Sequence, residues 1–281
     1  MEKITQNVRV ETDYFGANVG IIQTTQGLVL IDTPMNPSDQ DRLLRETSSL
    51  GAIHWIIATD HHLDHFMGAS FLPGLVVSHK AVRGKFLSTF GPVEKILKRV
   101  AWSDPAGAER VKKLNVKEPA ITFEGALTLY LDPVEIHLES FVGHTPHTVA
   151  VRVEPDGVLF TGDNVVNEFP PFFHEAEDAT AWVESLQKLK QLPFSILVPG
   201  HGPVADGSAV DGMIKNVGDV VDRVKTALGK GLSEKEITNQ LQYMDALRQR
   251  EVNPEQRSFY RIQEKRGIAN IIRTLKNKEN H

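Results

Sequence analysis

TDHHLDHFMG, residues 59 to 68, places three histidines and two aspartates directly behind the apolar run IHWIIAT, residues 53 to 59. That run reads as a buried strand, so the loop after it lies at a sheet edge. Spacings of one or two residues there let His62, Asp64 and His65 converge on neighbouring metal ions. Imidazole and carboxylate together suit zinc, iron or manganese. Any one of these residues reads equally well as part of an exposed polar loop or as a helix cap; the cluster as a whole asks for a metal.

The rest of the chain builds layers around this loop. VGIIQT (19 to 24) and GLVLIDT (27 to 33) read as a hairpin of buried strands. Ser38 and Asp41 after Pro37 suggest a capping box opening a helix with Leu43, Leu44, Thr47 and Leu50 on one face. LVVS (75 to 78) continues the strand-helix-strand alternation of an α/β protein, and helices in a long excursion are expected between Lys80 and Lys117. From Ile121 the pattern turns to short strands, ALTLYL, VEIHL, TVAVRV and VLFTGD, with a hairpin turn at Asp156 and Gly157. A second sheet is implied. Asp178 caps a helix carrying Trp182, Leu186 and Leu189, and FSILVPG (194 to 200) is another buried strand. Beyond His201 the chain is helical: Ser208 with Asp211, Ser233 with Glu236, and Asn253 with Pro254 and Gln256 each mark a helix start.

Three further segments end strands with chemistry-bearing residues. FVGHTPHT (141 to 148) holds His144, LFTGDN (159 to 164) holds Asp163, and LVPGHGPV (197 to 204) holds His201. Taken singly, His144 before Thr-Pro reads more readily as a turn residue than a ligand, Gly-Asp-Asn at 162 to 164 is equally turn chemistry, and the glycines around His201 let the backbone approach a site closely. All four segments follow strands, which is the arrangement expected if the strand ends of two sheets open onto one edge.

Composition narrows the chemistry. The 281 residues contain no cysteine, which removes disulfides, thiol nucleophiles and thiolate-bound zinc. A net charge of -5, from 31 basic and 36 acidic residues, offers no broad attraction to nucleic acid or anionic membrane. The first residues show no basic stretch followed by an apolar one, and no run spans a bilayer, so a cytoplasmic protein is expected.

In order, T-x-x-H-x-D-H, G-H-T-P, T-G-D and P-G-H-G strongly resemble the metallo-β-lactamase superfamily over roughly Val19 to Val204, with wording closest to the hydrolases around glyoxalase II and the SoxH-like proteins. The resemblance implies a four-layer αβ/βα sandwich over residues 1-207, with a C-terminal helical extension, 208-281, packed on it. It implies two divalent transition metals, zinc foremost, one held by Asp60, His62 and His144, the other by Asp64, His65 and His201, with Asp163 between them. Hydroxide formed at the metals would attack a small ester, thioester, lactone or β-lactam-like substrate, and Asp64 would orient it as the catalytic residue. An iron-containing redox enzyme, or a member that binds a ligand without turnover, are the alternatives. The partner expected is a small molecule, with neither nucleic acid nor membrane, and homodimerisation is left open.

The chain departs from the family pattern at Asp60, where histidine is usual. A carboxylate there tilts the first site toward iron or manganese, and His61 is a candidate substitute ligand. His147 and His174 are weaker candidates for facing the site. The FPPFF run (169 to 173) is expected to pack more than to line a pocket, and His54, His79, His137 and His281 are read as structural or exposed.

Overall fold

A computed structural model describes residues 1-90, 93-244, 247 and 254-279. Four strands, β1 (Glu2–Lys3), β2 (Val8–Glu11), β3 (Val19–Thr24) and β4 (Gly27–Ile31), pair antiparallel in sequence order. The sheet then continues parallel through β5 (Ile53–Ala58), β6 (Leu75–His79) and β7 (Ile121–Phe123). A second sheet has the order β12-β11-β10-β9-β8. Its strands are β8 (Ala126–Leu131), β9 (Val134–Phe141), β10 (Thr148–Glu154), β11 (Val158–Phe160) and β12 (Ile196–Val198).

Strand alternation assigns each apolar side chain to a layer. Val29, Ile31 and Ile57 face inward and meet Ile136, Val151, Val158, Phe160 and Val198 between the sheets. Leu28, Leu30, Ile56 and Ala58, on the opposite face, pack with Leu43 of α1 (Pro37–Thr47) and with Ile96 and Val100 of α4 (Val93–Ser103). The outer face of the second sheet, through Phe141, Leu159 and Leu197, is covered by α6 (Ala179–Leu189) and α7 (Ser208–Gly229). Ile268, Ile271 and Ile272 of the last helix, which we label α9 (Pro254–Glu279), belong to the same apolar cluster. The result is helix, sheet, sheet, helix: the αβ/βα sandwich, with the C-terminal helices sharing the core of its second half.

Several helix starts differ in detail from expectation. α1 begins at Pro37, one residue before the expected Ser38, and its N-cap Asn36 makes no side-chain cap bond. Ser38 donates its hydroxyl and backbone N–H to Asp104 instead, tying α1 to the segment that follows α4. α7 also lacks a side-chain cap; Asp206, two residues before its first residue, accepts from the Ser208 N–H. The capping box at Ser233 and Glu236, which opens α8 (Glu234–Gln240), and the Asp178 cap are both present. A short helix, α2 (Leu63–Phe66), follows β5, and the excursion from Lys80 holds α3 (Lys80–Phe90), α4 and α5 (Ala108–Val111). Asn253, expected to begin the last helix, and His281 lie outside the described residues. Among the described residues, no helix is long and apolar enough to cross a membrane.

Topology decides where the site forms. Because β10 runs antiparallel to both β9 and β11, and β11 is parallel to β12, strands β9, β11 and β12 all end at one edge. β4 and β5 end together in the other sheet. The two edges are joined where the Val149 N–H donates to the Thr59 carbonyl at 2.8 Å.

Candidate metal centre

Five strand ends supply the polar side chains of this edge. The loop after β5 carries Asp60 to His65; His144 follows β9, Asp163 follows β11, His201 follows β12, and Asp32 follows β4. Asp60 is fully buried. Its Oδ1 accepts from the His62 N–H at 2.7 Å, and its Oδ2 lies 2.9 Å from His62 Nδ1 and 3.9 Å from His144 Nε2. His144 Nδ1 donates to the Phe172 carbonyl at 2.8 Å, which turns Nε2 inward, 3.2 Å from His62 Nδ1 and 3.7 Å from Asp163 Oδ2.

A second group adjoins the first. His201 Nε2 stands 3.6 Å from Asp64 Oδ2 and 3.4 Å from Asp163 Oδ1, and His65 Nε2 is likewise 3.4 Å from that oxygen. His65 Nδ1 donates to Asp32 Oδ2 at 2.7 Å, and Asp32 also accepts from the Thr59 N–H and hydroxyl. A carboxylate bonded to the far nitrogen of a histidine fixes its tautomer and aims the near lone pair. Asp32 holds a left-handed φ of 59° to do so. Gly200 lets the last loop close over Asp163, for a Cβ there would stand 2.0 Å from Asp163 Oδ1.

The side chains fit metal ions. Atoms on a tetrahedron at 2.0–2.1 Å from an ion stand about 3.4 Å from one another, the spacing found around Asp163. His65 Nε2 and Asp163 Oδ1 are buried and have no hydrogen-bond partner, which is costly unless a cation satisfies them. Asp60, His62 and His144 form one compact ligand group, Asp64, His65 and His201 another, and Asp60, His65 and Asp163 a third between them.

Electrostatics follows the same division. Burial would raise the Asp163 carboxyl, but His201 and His65 beside it hold it well below the usual range. Burial likewise opposes ionisation of Asp60, and His65 and His62 outweigh it. For His62, burial acts to lower the pKa while Asp60 and Glu175 raise it, and the sum is pushed up to about 10. His144, where burial dominates, goes down. His174 falls to about 3 through burial and the neighbouring His144 and His62, so it stands neutral over the first group.

All seven residues singled out as ligands are brought together. His61 is not with them: its ring turns outward, with Nδ1 2.9 Å from His147 Nε2 and Nε2 2.9 Å from Glu175 Oε2. The His174 ring lies near those of His62 and His144, tilted against the first and edge-on to the second, at separations of 5.3 and 5.5 Å. The FPPFF run divides. Phe173 is buried against Trp182 and Tyr243, as packing requires, whereas Phe169 lies beside His201 and Phe172 beside His174. His79 stacks on His147, and His54 is exposed. Asp32, Glu175 and Asn164, whose side-chain oxygen accepts from the His144 N–H, were not singled out from sequence. The signal for Asp32 was a carboxylate ending the buried run GLVLI.

The family model described as the metallo-beta-lactamase superfamily matches residues 12–201, more than half of the chain and all of the ligand loops. The chain belongs to the metallo-β-lactamase superfamily. Among curated proteins it is 25% identical over 194 residues to the beta-lactamase-like protein 2 homolog of Caenorhabditis elegans, covering 68% of this chain and 57% of that protein. It is 26% identical over 148 residues to glyoxylase B2 of Dictyostelium discoideum, covering 51% and 47%. The chain thus spans about half the length of these relatives. Among solved structures, a stereoselective inverting sec-alkylsulfatase from Pseudomonas sp. superposes with a TM-score of 0.68 at 18% identity, over 95% of this chain and 49% of that one. The superfamily is one of metal-dependent hydrolases, and this member carries a matching cluster of candidate His and Asp ligands.

Proposed function

We propose that the protein is a dinuclear metallohydrolase that cleaves a small ester, thioester, lactone or β-lactam-like substrate. The observation that carries this reading is the set of unpartnered, buried ring and carboxylate atoms converging at coordination spacing around Asp163. Asp60, His62 and His144 would hold one ion and Asp64, His65 and His201 the other, with Asp163 facing both. Bound there, the ions supply Lewis acidity and bring the pKa of water near neutrality.

The chain's own groups do the rest. Asp64 Oδ2 faces His201, which leaves its other oxygen to orient the attacking water and pass a proton to the leaving group. No serine or cysteine nucleophile is required. Asp32 and the Phe172 carbonyl keep His65 and His144 aimed inward. α9 roofs the cleft. Phe259 lies under the Arg99 guanidinium at 5.5 Å, and Tyr260 meets Phe172, so the helix spans from α4 to the 169–178 loop. Arg99 also acts electrostatically on Asp64. A rim that is aromatic and basic suits a substrate with an apolar body and an anionic group.

Nitrogen-rich donors make zinc the first choice of metal, and Asp60 makes iron or manganese the specific alternative. Iron would open the second reading, a redox enzyme on the same fold. Elemental analysis of protein purified without added metal, run beside a chromogenic panel of esters, thioesters, lactones, β-lactams and alkyl sulfates, tests both. Two ions per chain with turnover on one ester-like class is the expected result. Absence of stoichiometric metal after reconstitution overturns the proposal, and iron with dioxygen-linked turnover replaces it by the redox reading.

A further inference from the structure

We infer that a third cation site lies against the outer side of this centre, formed by His61 Nε2, His62 Nε2 and the Glu175 carboxylate. It rests on the dinuclear reading only through His62, which the two sites share. His61 is fully buried, and its ring is directed away from Asp60 and toward Glu175, at 2.9 Å from Oε2. His62 presents Nδ1 to Asp60 and His144 but Nε2 to Glu175 Oε1, at 3.6 Å. The three donor atoms lie within 4.8 Å of one another.

The outer nitrogens of both rings meet the Glu175 carboxylate at ion-pair separations. Despite the short separations, neither His61 Nε2 nor His62 Nε2 has a hydrogen-bond partner, although both atoms are buried. Glu175 Oε2 offers His61 Nε2 a charged partner at 2.9 Å. A cation at 2.0–2.1 Å along the ring lone pair would satisfy both nitrogens, and distances of 2.9 and 3.6 Å bracket the edge of about 3.4 Å expected between its ligands. His61 Nδ1–H would then donate to His147 Nε2, the support that a ligating histidine ordinarily has on its far nitrogen.

His62 would bridge two ions, one on each ring nitrogen, and loading would release its remaining proton to the buffer. Charge favours this. Asp60 replaces a neutral imidazole by a carboxylate, Glu175 adds another beside it, and a third cation compensates both. Lys85 opposes it, with Nζ 3.7 Å from Glu175 Oε2, but its side chain is 41% exposed and has solvent to move into. Two imidazoles and a carboxylate are a zinc-type donor set, which makes zinc the probe.

The test is the full chain saturated with zinc, with the ions counted by elemental analysis and placed by anomalous diffraction at the zinc edge. Three ions are expected, one of them between His61, His62 and Glu175, falling to two in Glu175→Gln and in His61→Phe. Two ions in the wild-type map overturn the third site and leave the dinuclear centre standing. No ion at all overturns both. The wild-type map is decisive even if a variant fails to fold.

Discussion

The two halves of the centre are built differently. Asp64, His65 and His201 are held by the ends of core strands: His65 is bonded to Asp32 and Asp32 to Thr59, and His65, Asp32 and Thr59 are buried between the two sheets' edges. His144, in the other half, leans on the Phe172 carbonyl, part of a long loop that α9 ties down through Asn270 to the carbonyls of Phe173 and His174. His62 has no hydrogen bond on its far nitrogen. One half is thus preorganised by the sandwich itself, and the other by a peripheral loop and the last helix. Disturbing the first should abolish function; disturbing the second should tune it.

Asp163 touches both halves, so Asp163→Ala should show the largest effect. Both ions should weaken and turnover should fall by more than the roughly 10–100-fold typical of losing an outer partner of a ligand, as read by metal titration and steady-state rates. Retention of one tight ion would show that the halves are independent. Next come Asp64→Ala and His201→Ala, which should remove the second ion and nearly all turnover while the first ion persists. Wild-type rates in metal-verified Asp64→Ala would defeat its catalytic role.

Asp32→Asn keeps the shape of the partner but weakens the acceptor of His65 Nδ1–H. Affinity at the Asp64 half should drop by about 10–100-fold, with the ion count unchanged at saturation; an equal loss at the His144 half would break the distinction drawn between them. Asp60→Ala should loosen only the first ion, and Asp60→His should move its preference toward zinc. His62 carries its proton up to about pH 10, so an ion binding there displaces it, and competition weakens as pH rises. First-half affinity should therefore increase with pH, with a shallower slope in Asp60→Ala. The smallest effect belongs to Asn270→Ala. Losing its bonds to two loop carbonyls should cost about 0.5–1.5 kcal/mol each, visible as a few-fold weaker first ion and altered substrate selectivity. A change at the Asp64 half instead would show that α9 braces the whole cleft.

Much of this was present in the order of residues. Short-range rules suffice for buried strands, because side-chain alternation and apolar runs are local properties. The same holds for the ligand loops: Asp60 to His65 sit within six consecutive positions, and Gly-His, Gly-Asp and His-Gly mark strand ends. The family pattern then ties them into one centre. Local reading was weaker at helix starts, where Ser38 exchanged its expected cap for Asp104, a residue 66 positions away.

What only the tertiary structure decided is which side chains share a face across loops remote in sequence. Nothing near Asp60 says whether it or His61 turns to the centre. The answer comes from Glu175 and His147, which draw His61 outward, while Asp60 stays within reach of His62 and His144. Asp32 likewise looks like the end of a strand until His65 is seen against it. The set of candidate ligands is a property of residue type and is written in the chain. The direction in which each ligand's lone pair points depends on a hydrogen bond to a group brought near by folding, and that is fixed only when the sheets, the 169–178 loop and α9 have closed on one another.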